Sequence, residues 1–260
     1  TEMILPIASG FGITVATMPL FIGYFQIKKY GQEILEEGPN WHQAKAGTPT
    51  MGGTVFLIAI IISALWVAVW QQALTPALWI SLFILLVYGG LGFLDDFIKI
   101  FRKRNMGLNS KQKLIGQIIG GIIFYAVLVS EGATNTVNVF GYDLHLSFLY
   151  GLFVIVWLVG FSNAVNLTDG IDGLVSGLGA ISFATYAIIA WNQQQYDILI
   201  LCLSVVGALI GFFGYNHKPA KIFMGDVGSL ALGGLLATIS ILLHQEWTLL
   251  LIGLVYIVET

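Results

Sequence analysis

Charge is scarce in this chain of 260 residues: Asp, Glu, Lys and Arg together make up 10% of it. A soluble domain holds about 25%. Hydrophobic residues reach 57%, and mean hydropathy is +0.86. A soluble fold this apolar could not cover its own surface, which excludes a cytosolic enzyme and a disordered chain. Cysteine is scarcer still. Cys202 is single and sits in an apolar run, so no intrachain disulfide forms and a secreted disulfide scaffold is excluded. Basic residues are few and clustered, and the net charge is −3; nucleic acid is therefore not an expected partner. No basic n-region precedes the first apolar run, which reads as a span rather than a cleaved signal peptide. P-loop, His-Glu-x-x-His and Gly-x-Ser-x-Gly patterns are absent.

What the chain has is long apolar runs. A spanning helix needs about 20 mostly apolar residues. Nine segments qualify, roughly 3–26, 51–70, 77–96, 114–130, 148–167, 174–191, 198–215, 227–243 and 248–260. Barrel strands would alternate at every second residue instead. The expected fold is an all-α polytopic integral membrane protein forming one transmembrane domain over 1–260. The connection at 131–147 alternates through Thr134, Thr136, Val137, Val139 and Tyr142, which predicts a short hairpin. The chain stops at Thr260 within an apolar run, so a further C-terminal segment is expected.

All eleven Lys and Arg fall in three stretches. Lys28, Lys29 and Lys45 follow span one. Lys99, Arg102, Lys103, Arg104, Lys111 and Lys113 follow span three. Lys218 and Lys221 follow span seven. Connections after even-numbered spans hold none, and carry Gln71, Gln72, Glu131, Asp143, Asp197 and Glu246. Basic loops stay cytoplasmic. The N-terminus is thus expected outside, with odd-numbered spans ending inside.

Of seven aspartates, Asp95, Asp96, Asp169, Asp172 and Asp226 all sit at the inner ends of spans. Ionisable groups at membrane boundaries are costly and point to function. Helix capping is the bland alternative, and for Asp226 it is an even choice. For Asp95 and Asp96 it is poor, because negative charge at a helix C-terminus opposes the dipole. A metal or Lys99, one turn on from Asp95, must compensate. In Asn166-Leu167-Thr168-Asp169-Gly170-Ile171-Asp172-Gly173 the glycines permit a tight turn that can aim both carboxylates and backbone N–H groups at one ligand. Few carboxylates suit Mg²⁺, which shares its shell with water and phosphate oxygens. Lys28, Lys29, Arg102 and Arg104 read as topogenic anchors. Lys45, Lys99, Lys111, Lys113 and Lys221 lie near glycine turns or acids, where phosphate contact is as good a reading. Acids, a divalent metal and lysines at a membrane face suggest chemistry on a diphosphate, with an apolar partner arriving from the bilayer and a soluble one from the cytoplasm.

Four stretches carry a family resemblance: Gly47-Thr48-Pro49-Thr50-Met51-Gly52-Gly53, Leu94-Asp95-Asp96-Phe97-Ile98-Lys99, Asn163 through Gly173, and Phe223-Met224-Gly225-Asp226-Val227-Gly228-Ser229. The chain resembles, over nearly its whole length, the MraY family of phospho-N-acetylmuramoyl-pentapeptide transferases. These belong to the polyprenyl-phosphate N-acetylhexosamine-1-phosphate transferases of the bacterial plasma membrane. The resemblance implies that undecaprenyl phosphate, a membrane lipid, attacks UDP-MurNAc-pentapeptide, giving lipid I and UMP in peptidoglycan synthesis. It implies Mg²⁺ as cofactor with Asp226 as metal ligand, and Asp95, Asp96 and Asp226 as the catalytic set. Asp95 and Asp96 would handle the lipid phosphate, one of them as base; a covalent aspartyl-phosphate route stays open. Lys111 and Lys113 match phosphate-holding positions. Asn166, Asp169, Gly170, Ile171 and Asp172 match the nucleoside-binding turn, and Phe223 an aromatic stacking on uracil. Lys45, Thr50, Lys99 and Asn216 complete the expected substrate contacts. A homodimer and nucleoside inhibitors follow from the family, as do a histidine-rich loop and a tenth span beyond span nine. His42, His145, His217 and His244 do not form that loop. The alternatives are a UDP-GlcNAc-using relative, a cation transporter, and a catalytically dead scaffold. A transporter would place its acids near the bilayer midplane, not at one edge.

Overall fold

The computed structural model describes residues 3–28, 47–101, 107–139 and 141–259. Their elements are α1 (Ile4–Ile27), α2 (Gly52–Trp70), α3 (Pro76–Phe101), α4 (Ser110–Ser130), β1 (Thr136–Val139), β2 (Tyr142–His145), α5 (Leu149–Thr168), α6 (Leu174–Asn192), α7 (Tyr196–Asn216), α8 (Gly225–Leu242), α9 (Glu246–Ile252) and α10 (Leu254–Val258). Eight helices, α1 to α8, are long and apolar enough to cross a membrane among the described residues. The protein is an all-α, multi-pass membrane protein. The predicted hairpin is present: β1 and β2 pair antiparallel, with Thr136 opposite His145 and Val139 opposite Tyr142.

Two expectations need correction. The ninth apolar run is not one span. It divides into α9 and α10 at Gly253, whose N–H bonds back to Leu249. A Cβ at Gly253 would stand 2.8 Å from that same carbonyl oxygen and 3.0 Å from Phe161, so glycine lets the chain turn close against α5. The third span does not end at Asp96 but continues to Phe101. Phe97, Ile98, Ile100 and Phe101 keep it apolar, and Lys99 pairs with Asp95 one turn back.

The bundle is built around α8. Every residue from Val227 to Ile241 is buried, because α8 carries small residues where its neighbours arrive. A Cβ at Gly233 would lie 2.3 Å from the Phe161 carbonyl oxygen of α5, and one at Gly234 would lie 2.4 Å from the Tyr88 ring of α3. Three glycine pairs at four-residue spacing serve packing within the chain. Gly207 and Gly211 receive α1 at Ile7 and Phe11. Gly116 and Gly120 receive α3 at Leu91 and Tyr88. Gly173 and Gly177 receive Phe213 of α7.

The hairpin lies at the bundle end where α4 stops and α5 starts, and β1 packs against α9. Glu246, the first residue of α9, is 1% exposed there. Burial pushes its carboxyl up to about 7 from an ordinary 4.5, and Asp143 of the hairpin adds to the push. An acid whose folded pKa is raised favours folding only while protonated. Stability is therefore lost as pH rises from about 4.5 through about 7. Glu246→Gln is expected to raise the thermal midpoint at pH 8 and leave it unchanged at pH 4. An equal shift at both pH values would show that ionisation of Glu246 is not the cause.

Candidate active site

The C-terminal ends of α1, α3, α5 and α7 share one end of the bundle, as the alternation of spans requires. The end of α3 brings Asp95 and Asp96 there, and the start of α8 brings Asp226. Lys113 comes from the first turn of α4, which opens on a reciprocal cap between Asn109 and Gln112. The carboxylate oxygens of Asp95, Asp96 and Asp226 lie within 4.8 Å of one another.

Both Asp95 and Asp96 are buried, at 0% and 5% exposure. Such charges persist only if paired. Asp95 Oδ2 is 2.5 Å from Lys99 Nζ, and Oδ1 is 3.1 Å from Lys113 Nζ. Oδ1 also accepts from the Leu108 N–H at 2.8 Å. Gly107 lies so close that a Cβ would fall on the Asp95 carboxylate. Asp96 Oδ2 accepts the Val227 N–H at 3.2 Å, at the start of α8. Asp96, five residues short of the last residue of α3, thus meets the positive end of another helix.

Asp226 is not the N-cap of α8, a place taken by Met224, but the second residue of the helix. Its Oδ2 takes Lys113 Nζ at 2.6 Å, with Lys99 Nζ at 3.7 Å. Its Oδ1 accepts from Asn166 Nδ2 at 3.1 Å, and that amide also donates to Ser229 Oγ at 2.8 Å. Three carboxyl groups thus gather around two lysines, and the lysines pair with Asp95 and Asp226. Oxygen donors of this kind fit a hard divalent cation such as Mg²⁺.

The nucleoside-turn residues divide. Asn166 faces Asp226, whereas Asp169 and Asp172 lie outside the cluster of three acids. Asp172 Oδ2 accepts from the Ala220 N–H at 3.2 Å, which ties the turn to the connection before α8. Gly170 and Ile171 are exposed, and Asp169 is half-buried. Asn216 is 3% exposed and braces the same region from behind. Its Oδ1 accepts from the Gly173 N–H at 3.1 Å and the Ser176 hydroxyl at 2.9 Å, and its Nδ2 donates to the Ile222 carbonyl at 3.1 Å.

The 47–53 stretch lies alongside 223–224. Phe223 N–H donates to the Pro49 carbonyl at 2.8 Å. Gly52 N–H donates to that of Phe223 at 3.0 Å, and Gly53 N–H to that of Met224 at 2.8 Å. A Cβ at Gly53 would stand 2.4 Å from the Gly228 nitrogen, so its glycine lets α2 touch α8. Thr50 is buried near Gly225, Phe223 is half-buried, and Lys111 is exposed outside the ion-paired cluster. Lys45 lies outside the described residues, as do Lys29, His42, Arg102, Lys103 and Arg104. His217 is exposed, its Nδ1 2.9 Å from the Phe213 carbonyl oxygen. Sequence reasoning gave no role to Ser229 or Gly92. Helical spacing from Asp226 and Asp95 was the available signal for each.

Comparison with known proteins follows the same residues. The glycosyl transferase family 4 model matches residues 78–244. Signature 1 of the phospho-N-acetylmuramoyl-pentapeptide-transferases matches residues 45–57. The chain is 70% identical to the phospho-N-acetylmuramoyl-pentapeptide-transferase of Enterococcus hirae, over 100% of this chain and 81% of that protein. It is 68% identical to that of Enterococcus faecalis, with the same coverage. To that of Lactiplantibacillus plantarum it is 57% identical, over 97% of this chain and 79% of the other.

Proposed function

The chain belongs to the phospho-N-acetylmuramoyl-pentapeptide transferases of glycosyl transferase family 4, and from this premise we propose how its charged cluster performs the transfer. Phospho-MurNAc-pentapeptide passes from UDP-MurNAc-pentapeptide to the lipid carrier undecaprenyl phosphate, in peptidoglycan synthesis. A phosphate oxygen of the acceptor bonds to the sugar-linked phosphorus. The bond from that phosphorus to the UMP oxygen breaks, UMP leaves, and lipid I stays in the membrane. The convergence of Asp95, Asp96, Asp226, Lys99 and Lys113 on one bundle end carries this reading.

Phosphoryl transfer is mostly positioning and charge neutralisation. Asp226, with Asp95 and Asp96 beside it, would hold Mg²⁺, which when bound neutralises the diphosphate. Lys113 and Lys99 are held by acids in the free protein, and Lys111 stands ready at the helix start; all three can turn to phosphate oxygens. Asp95 and Asp96 would handle the acceptor phosphate, one of them acting as base where that phosphate still carries a proton. Asp169, Gly170, Ile171, Asp172 and Phe223 would bind the nucleoside, with Asn216 shaping their loops and Thr50 and Lys45 adding contacts. The basic stretches support a cytoplasmic location for this end and an outside N-terminus, and the family supports a bacterial plasma membrane. A homodimer, and competition by nucleoside inhibitors at the uridine turn, complete the proposal.

The test is UMP release by purified protein in detergent with undecaprenyl phosphate and Mg²⁺. Release with UDP-MurNAc-pentapeptide but not UDP-GlcNAc, abolished by EDTA, is the expected result. Release only with UDP-GlcNAc would assign the related sugar instead. Phe223→Ala is expected to raise KM for the nucleotide sugar roughly tenfold or more with little change in kcat, since base–aromatic stacking is worth about 1–3 kcal/mol. An unchanged KM would remove Phe223 from the nucleoside site.

A further inference from the structure

One helical turn deeper than the ion-paired cluster lies a second polar layer. Gln117 is 1% exposed and stands four residues after Lys113 on α4. Its Nε2 donates to Ser162 Oγ at 3.1 Å, and the Ser162 hydroxyl donates to the Leu230 carbonyl at 3.0 Å. Its Oε1 accepts from Asn163 Nδ2 at 3.0 Å. The Tyr88 hydroxyl donates to the Gln117 backbone carbonyl at 2.9 Å. Each residue of this layer sits on the face of its helix that carries a site residue, by helical spacing. Ser162 is four residues before Asn166, Leu230 four after Asp226, and Tyr88 seven before Asp95. Of the four helices joined by the layer, α3, α4 and α8 supply the cluster and α5 supplies Asn166, which bonds Asp226.

We infer that Gln117 is a positioning residue for the transfer, its amide fixing α4 against α5 and α8 so that Lys113 reaches both Asp95 and Asp226. Lys113 bridges those acids from a helix whose first turn is otherwise exposed at Lys111, Gln112 and Leu114. Besides the Tyr88 bond to the Gln117 carbonyl, α4 meets α3 here through glycines, Gly116 against Leu91 and Gly120 against Tyr88. Smooth glycine contacts of that kind permit sliding and rotation, whereas a directional amide fixes register. Loss of the amide strands no buried partner. Asn163 Nδ2 still donates to the Val159 carbonyl at 2.8 Å, Ser162 still donates to Leu230, and the Tyr88 bond goes to backbone. A single hydrogen bond between spans contributes little to stability on average, so a near-isosteric Gln117→Met protein is expected to keep its fold.

The inference rests on the proposed transfer and is tested by a double-mutant cycle on it. Gln117→Met, Lys113→Ala and the double variant are assayed for UMP release, with thermal midpoints measured in parallel. Gln117→Met is expected to lower kcat by roughly tenfold to a hundredfold, the scale of a catalytic group displaced by about 1 Å, with the KM for nucleotide sugar within about twofold. In the Lys113→Ala background the same substitution is expected to cost nothing further. Equal losses in both backgrounds, or unchanged kcat for Gln117→Met, would overturn the positioning role. If Gln117→Met does not fold, Ser162→Ala, which cuts the same link to α8, is held to the same cycle and the same outcomes. An inactive wild-type protein would instead refute the transferase reading, so the two failures are distinguishable.

Discussion

Asp226→Asn is expected to lower UMP release by at least about a hundredfold at saturating Mg²⁺, the scale on which one electrostatic group at a reacting centre acts. The substitution keeps the shape of the side chain and removes its charge. An amide nitrogen at one position would meet either the Lys113 ammonium at 2.6 Å or the Asn166 amide at 3.1 Å, both donors. The cluster would lose one negative charge and one anionic oxygen donor, which weakens its hold on a divalent cation. The fold should survive. Lys113 keeps Asp95 Oδ1 at 3.1 Å and Lys99 keeps Asp95 Oδ2 at 2.5 Å, so neither ammonium is stranded. A thermal melt close to wild type, alongside lost turnover and lost Mg²⁺ dependence, is the expected pair of results. Turnover within about threefold of wild type would remove Asp226 from the site.

Gly92→Ala is expected to be worse than a polar change, because it acts on the fold and the site together. A Cβ at Gly92 would stand 2.1 Å from the Asp226 carbonyl oxygen and 2.4 Å from the Val227 nitrogen. Both are backbone atoms and cannot rotate away. Helix α3 would have to withdraw from α8, although these two form the most extensive helix pair of the described residues. Overpacking of this kind costs about 1–3 kcal/mol. It would also separate Asp95 and Asp96 from Asp226 and break the Val227 bond to Asp96. A lowered thermal midpoint and a rate loss of about a hundredfold or more are expected. Gly90→Ala is the control, since nothing lies within 4 Å of a Cβ there; it should be neutral or slightly stabilising by helix propensity. Equal behaviour of the two variants would show that the α3–α8 crossing does not depend on Gly92.

Much of this was legible in the residues. Apolar runs place eight spans, because a helix in lipid satisfies its own backbone and needs only length and hydropathy. Partial alternation over 131–147 predicted a short hairpin, and the structure pairs Thr136–Val139 with Tyr142–His145. The spacing of Asp95 and Lys99 announced their pair, since four residues on a helix share a face. The ninth run misled because hydropathy does not report a break, and Gly253 turns it through a close approach to Phe161 that only packing reveals. Asn166 adjoins the nucleoside turn in sequence, and its bond to Asp226 across 60 residues is visible only in the packing of α5 on α8.

The sequence by itself determined that the chain lies in a membrane, which end of the bundle carries the acids and lysines, and which family it belongs to. These follow from composition, helical period and motif, all of them local along the chain. The tertiary structure alone decided which acids meet. Asp95 and Asp226 are 131 residues apart in the chain, with Lys113 between them, and they come together because Gly92 and Gly53 allow α3 and α2 to press against α8. It also decided that Asp96 rests on the start of α8 while Asp172 turns to Ala220. Charge pairing across helices depends on crossing points set by side-chain volume, and no periodicity within a single helix encodes them.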